Sequence, residues 1–172
     1  YTRRIPLAVP SYFGVAPTIS LAYNSGDTRP HTNDAMGPVA VGWQLTGGSI
    51  IERQSTHGGA PIFDATDVFE IDGNGLVTCG AGNGSVTSPS CNDGGDYTPR
   101  YETFKRIVRD AAANTWTVTA KDGVTSLYRS LGAFRVGGTE DAHLRNDYRW
   151  LLASVTDPDG NHLAFAQALG GQ

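Results

Sequence analysis

The chain has 172 residues, 17 Asp and Glu against 13 Lys and Arg, and a formal net charge of -4, with a pI near 5.4. An acidic chain of this kind lacks the basic face that a phosphate backbone requires, which excludes nucleic acid as a partner. With 39% hydrophobic residues and no apolar run near the roughly 20 residues of a membrane helix, the sequence predicts a water-soluble, folded domain without a membrane span.

The 22 glycines and 9 prolines are scattered through the chain, so it must reverse often and its elements must be short. Its length suits one domain, residues 1–172, with a single core. It starts at Tyr1 with no initiator Met and no charged-then-apolar leader, which reads as a segment of a larger exported protein whose address signal lies elsewhere.

In chain order, Pro17 to Tyr23 is the first strand candidate. Asn24 to Pro38 follows as a long loop punctuated by Gly26, Pro30, Gly37 and Pro38. Val39 to Leu45 and Ser49 to Arg53 are strands around the Gly47-Gly48 turn. Phe69-Glu-Ile71 and Leu76-Val-Thr78 form a hairpin about Asp72-Gly-Asn-Gly75. Cys79 to Pro99 is a second long loop, and Cys79 and Cys91 bracket its Gly/Ser/Asn-rich part. That loop is either flexible or stapled by a disulfide, which would stabilise the fold by about 3 kcal/mol and point to an oxidising compartment.

Tyr101 to Val108 is a further strand. Asp110 to Asn114 is too short to nucleate a helix and reads as a turn. Trp116, Val118 and Ala120 alternate with Thr117 and Thr119, as a half-buried strand must. Asp122-Gly123 then reverses the chain into Val124 to Tyr128. Trp150 to Val155 runs through a turn shaped by Asp157, Gly160 and Asn161 into His162 to Phe165. The aromatic residues Tyr23, Trp43, Phe69, Trp116 and Trp150 sit in these strands and are expected in the core.

The fold class is therefore all-β, an antiparallel meander of hairpins. Such a meander closes into a barrel, packs as a sandwich, or pairs its outermost strands with neighbouring sequence. For a segment of a larger protein the third outcome, an open sheet, is expected, with a sandwich if it stands alone.

No catalytic constellation emerges. Gly47-Gly48-Ser49-Ile50 lacks the final glycine of a nucleophile elbow, and the glycines of 79–84 lack the ending of a phosphate loop. His31, His57, His143 and His162 are isolated, and two thiols are too few for zinc. Asp157-Pro-Asp159-Gly-Asn161 starts like a calcium loop, but its glycine comes too early and Ala168 stands where the closing Glu belongs. Asp64 with Asp67, and Glu140 with Asp141, pair carboxylates without showing a shared cleft. Lys105, Arg106 and Arg109 read as solvent-facing strand positions. No cofactor, no metal and no enzymatic activity are expected.

One ordered pattern spans most of the chain: Arg4-Ile-Pro-Leu7, Pro17-Thr-Ile-Ser-Leu-Ala-Tyr-Asn-Ser-Gly26, Val41-Gly-Trp-Gln-Leu45, Ser49-Ile-Ile-Glu-Arg53, Tyr101-Glu-Thr-Phe-Lys-Arg-Ile107, and Trp150-Leu-Leu with Val155-Thr-Asp-Pro-Asp-Gly-Asn161. It resembles the SpvB-type domain, which also opens the B component of insecticidal toxin complexes and related RHS/YD-repeat proteins. The Cys79 to Cys91 insert and Gly37-Pro-Val-Ala-Val41 depart from that pattern. The resemblance implies a secreted or surface-borne, non-catalytic module: a wall segment of an RHS-type shell around a toxic C-terminal polypeptide. Its partners would be other segments of the parent toxin or toxin-complex subunits. The Glu-x-Glu signature of the family's separate transferase is absent, and Glu52 and Glu70 do not form it. The alternative is a cell-surface adhesin module binding carbohydrate or a receptor through the long polar loops.

Overall fold

The computed structural model describes residues 1–9, 19–25, 42–80, 88–134 and 147–165. The chain divides into two compact units, Tyr1–Ser49 and Ile50–Gln172.

In the first unit, β1 (Thr2–Pro6), β2 (Ser20–Asn24) and β3 (Trp43–Thr46) make an antiparallel sheet in that order. Register places Tyr23 opposite Trp43, and their rings meet at 5.2 Å. Across the same strand pair the Ser20 and Thr46 hydroxyls share a hydrogen bond of 2.5 Å. β1 lies outside the strands expected from sequence. Its only apolar residues are Ile5 and the terminal Pro6, so its own pattern is thin and its pairing with β2 defines it.

The second unit contains β4 (Ile50–Gln54), β5 (Val68–Ile71), β6 (Asn74–Thr78), the short helix α1 (Pro89–Asn92), β7 (Tyr97–Pro99), β8 (Arg106–Asp110), β9 (Thr115–Thr119), β10 (Thr125–Ser130), β11 (Arg149–Thr156) and β12 (His162–Ala164). From β4 to β10 each strand pairs antiparallel with the next, as a meander. The sheet does not stay open as expected. β10 also pairs with β11, and β11 returns to β4 through Trp150↔Ile51 and its neighbours. The eight strands β4 to β11 therefore close on themselves.

The length of β11 makes this closure feasible. One edge of its 8 residues carries β10, while the other is shared between β4 at Arg149–Leu151 and β12 at Ser154–Thr156. The β10 register shifts between Leu127 and Tyr128, which stand opposite Ser154 and Leu152 and leave Ala153 as the extra residue of a bulge. Such a bulge bends a strand as a closed sheet requires. The Ala153 carbonyl instead accepts the Phe165 N–H at 2.8 Å.

Closure buries what an open sheet would leave wet. An eight-stranded barrel has an interior just wide enough for side chains to fill, and alternate residues of every strand supply them. Ile51, Ile107 and Trp150 are 0% exposed and Trp116 1%. Phe69, Ile71, Leu76, Val118, Tyr128 and Leu152 complete the cluster, with Tyr97 packed against it.

Candidate functional site

Inside the barrel four rings form a nest. Trp116 meets Phe69 and Tyr97 at 5.0 Å each and Trp150 at 5.7 Å, mostly edge-to-face, an arrangement that adds to area burial. The Trp150 indole N–H donates to the main-chain and side-chain oxygens of Asn114 at 3.1 and 3.0 Å. The Trp116 indole N–H is buried and has no acceptor among the described residues.

Two arginines cap the nest. Arg109 follows Ile107 by two positions on β8 and so shares its inward face. Its guanidinium carbon lies 4.8 Å from the Phe69 ring centre, 5.5 Å from Trp116 and 5.9 Å from Trp150. It is thus not the solvent-facing residue that the Lys105, Arg106, Arg109 cluster suggests. Arg106, one register step away, is exposed.

Arg53 follows Ile51 on β4 in the same relation, and its guanidinium is committed on three sides. Nε donates to Asp67 at 2.8 Å, one terminal nitrogen to Asp147 at 2.9 Å, and the other to the Asp64 carbonyl at 2.6 Å. The Asp67 side chain is fully shielded from solvent. It also accepts the Ile62 and Phe63 N–H groups at 2.9 and 2.6 Å. These bonds hold Phe63 at a φ of 66°, a left-handed conformation that a bulky residue adopts only when its surroundings impose it.

The shifted carboxylates all move in one direction. Burial pushes Asp67 up, but the Ile62 and Phe63 amides and Arg53 outweigh it and hold it below the usual range. Asp64 is lowered chiefly by the Thr66 hydroxyl and amide. Burial also raises Glu102, yet hydrogen bonds from Ser90, Phe104 and Thr98 bring it down. Asp157 is lowered first by the Asn161 side chain. These are ionised struts that tie loops to strands.

Arg53, Arg109 and Arg100 line a cleft of about 860 Å³ together with Asp64, Asp67 and Tyr97. Asp64 and Asp67, which the sequence could not bring together, thus share one wall through Arg53. Among the described residues no group of three or more His, Cys, Asp or Glu is placed to hold a metal ion.

The remaining sequence-derived residues are placed as follows. Phe69, Trp116 and Trp150 lie in the barrel core, whereas Tyr23 and Trp43 are half-buried partners in the first unit. Cys79 and Cys91 are bonded, with Cα atoms 5.4 Å apart. The segment they staple leads into α1, whose Ser88 cap accepts the Cys91 N–H. Ser90 is 1% exposed and its hydroxyl donates to Glu102 at 2.6 Å.

Asp157 accepts both the amide N–H and the side-chain NH₂ of Asn161 at 2.8 Å, and the Gly160 N–H returns to the Asp157 carbonyl at 3.1 Å. That is a closed turn with its oxygens spent internally. Gly123 and Gly160 both adopt φ of 84°. Gly26, His31, His143, Glu140 and Asp141 lie outside the described residues. His57 and His162 are exposed, each beside a threonine hydroxyl.

A closed antiparallel barrel with a filled aromatic interior, together with a three-stranded antiparallel unit, defines an all-β module. The chain belongs to the SpvB family, described as the Salmonella virulence plasmid 65kDa B protein, which matches over residues 1–168. Among solved structures it is similar to the N-terminal domain of the effector protein SpvB from Salmonella typhimurium, at 25% identity over 95% of this chain and 53% of that one, with a TM-score of 0.66. It is similar at 25% identity to a chain of the TcdB2-TccC3-Cdc42 structure, over 96% of this chain and 8% of the other, TM-score 0.66. A chain of the Photorhabdus luminescens Tc holotoxin pore shares the fold at 24% identity and TM-score 0.65, over 94% of this chain and 8% of that one. The chain therefore spans about half of the N-terminal domain in the first structure and a small part of the chains in the other two. No curated protein matches it.

Proposed function

We propose that the chain is a non-catalytic structural module of an exported bacterial toxin, a barrel set into a β-rich wall that encloses or helps deliver a toxic polypeptide carried elsewhere in the parent. The observation that carries the reading is the filled interior: the positions where a barrel enzyme would keep a cavity hold Trp116, Trp150, Phe69 and Tyr97 in mutual contact. The lowered carboxylates support it, because Asp64, Asp67, Glu102 and Asp157 are held ionised and are poor proton donors at neutral pH.

Family membership and the likeness to toxin-complex chains supply the toxin context. The bonded Cys79–Cys91 pair suits an oxidising compartment. No helix among the described residues is long and apolar enough to cross a membrane. Closure leaves few edges for lateral pairing. Within the nine-stranded order β12 stands at one end, with β11 on one side and no described strand on the other. That edge is where a further strand of the parent would extend the sheet. The adhesin alternative drew on the long loops, and the 88–99 part of the second is instead occupied by α1 and β7.

Electron microscopy of the full-length parent tests the reading. The expected image has residues 50–165 built into the wall of a hollow body, with a strand added at β12. A barrel tethered loosely outside the rest of the parent would overturn it.

A further inference from the structure

The cleft at the end of the barrel has a charge balance opposite to that of the chain. Three arginines, Arg53, Arg100 and Arg109, stand against two aspartates, Asp64 and Asp67, in a protein of net charge -4. Both aspartates are saturated: Asp67 by two amides and Arg53, Asp64 by the Thr66 amide and hydroxyl. Arg53 is in turn occupied by Asp67, Asp147 and the Asp64 carbonyl. Among the described residues no acidic side chain pairs with the guanidinium of Arg109 or of Arg100.

Arg109 is also the more organised of the two. Its carbon lies 4.8 to 5.9 Å from the centres of three aromatic rings, which restricts where the guanidinium can move. Cation–π contact uses none of the guanidinium N–H groups as hydrogen-bond donors to an oxygen, and the fork that carboxylates match bidentately has no acidic partner among the described residues. Arg109 and Tyr97 line both the large cleft and a second depression beside it, which Asp96 and Thr78 also border. Arg109 is half-buried, so part of it meets solvent. A cleft of about 860 Å³ is within the size range of sites for organic ligands.

We propose that this cleft is a carboxylate-binding site, with Arg109 as the bidentate anchor on its aromatic platform and Arg100 as a second cation at the rim. Asp64 and Asp67 in the lining and Asp96 beside Arg109 oppose a dianion more than a monoanion, which favours a carboxylate over a phosphate dianion. The carboxylate comes either from a free organic acid or from an acidic side chain of a polypeptide laid across the barrel end.

The test is a titration of the full 172-residue chain, followed by NMR at the indole N–H of Trp116 and Trp150 and the Nε–H of Arg109. The probes are succinate, a short blocked peptide rich in Asp and Gly, the neutral analogue succinamide, and inorganic phosphate. Succinate is expected to shift these resonances saturably and succinamide is not. Tighter binding of the peptide than of succinate assigns the source to a polypeptide, and the reverse assigns it to a free acid. Arg109→Gln is expected to weaken binding at least tenfold and Arg100→Gln a few-fold. Equal shifts with succinamide, tighter binding of phosphate than of succinate, or unchanged affinity in Arg109→Gln would each overturn the proposal. Should Arg109→Gln fail to fold, the probe panel on the unaltered chain and Arg100→Gln decide the matter.

Discussion

Gly123 and Gly160 share a φ of 84° but not an environment. A Cβ on Gly123 would come within 2.9 Å of Pro158 Cγ, whereas nothing lies within 4 Å of one on Gly160. Gly160→Ala is therefore expected to cost only the left-handed backbone penalty, about 1–2 kcal/mol. Gly123→Ala adds a clash with the ring of the neighbouring turn and should cost measurably more in urea unfolding. Pro158→Ala in the Gly123→Ala background should recover the excess. Equal losses at the two glycines would contradict the packing of the β9–β10 turn against the β11–β12 turn. The carboxylates give a second residue-scale prediction. Asp64, Asp67, Glu102 and Asp157 all sit below their ordinary values in the folded chain. A depressed carboxylate stabilises the fold above its unfolded pKa, near 4, and that contribution fades as pH falls through the lower folded value. Urea midpoints should be flat from pH 7 to about 5 and drop below about pH 4. Asp67→Asn should lower the plateau and flatten the acid slope, and an unchanged slope would remove Asp67 from the account.

At the scale of elements, the stapled segment has a role beyond closing a loop. The bond between Cys79, just past β6, and Cys91 in α1 ties the helix to the strand before it, while Ser90 to Glu102 ties it to the segment after β7. The double substitution Cys79→Ser with Cys91→Ser is expected to cost about 3 kcal/mol and to raise amide exchange in β7 before β9 or β10. Full retention of stability would show that packing alone holds α1. How legible each element is in sequence follows from its length and its turn. The β9–β10 hairpin is plain, because Trp116 and Val118 alternate with threonines and Asp122-Gly123 supplies the turn. β7 is not, since its three residues end in a proline and sit in Gly- and Asp-rich sequence. Tyr101 to Val108 reads as a strand, yet β8 begins only at Arg106, because Phe104 takes a φ of 57° and its N–H bonds the Glu102 carboxylate at 2.6 Å. Arg109 was recoverable: applying the period of two from Ile107 places it inside, but its charge argues for the surface unless the aromatic nest is known.

For the whole molecule, the meander and its aromatic core follow from local patterns, whereas closure does not. The pairing of Trp150 with Ile51 joins residues far apart in sequence, and no local motif marks two strands as each other's seam. The same holds for Arg53, whose partners Asp67 and Asp147 come from distant loops. Closure turns the apolar face of the sheet into the barrel interior and leaves β12 at the end of the nine-stranded order. Hydrogen exchange read by NMR on the isolated chain tests this most directly. The amides of β10, β11 and β4 that bond across the β10–β11 and β11–β4 seams should be as protected as those inside the β8–β9 pair. Exchange within seconds along β4 or along the β10-facing edge of β11, with β8 and β9 still protected, would mean that the sheet is open and the account of the barrel is wrong.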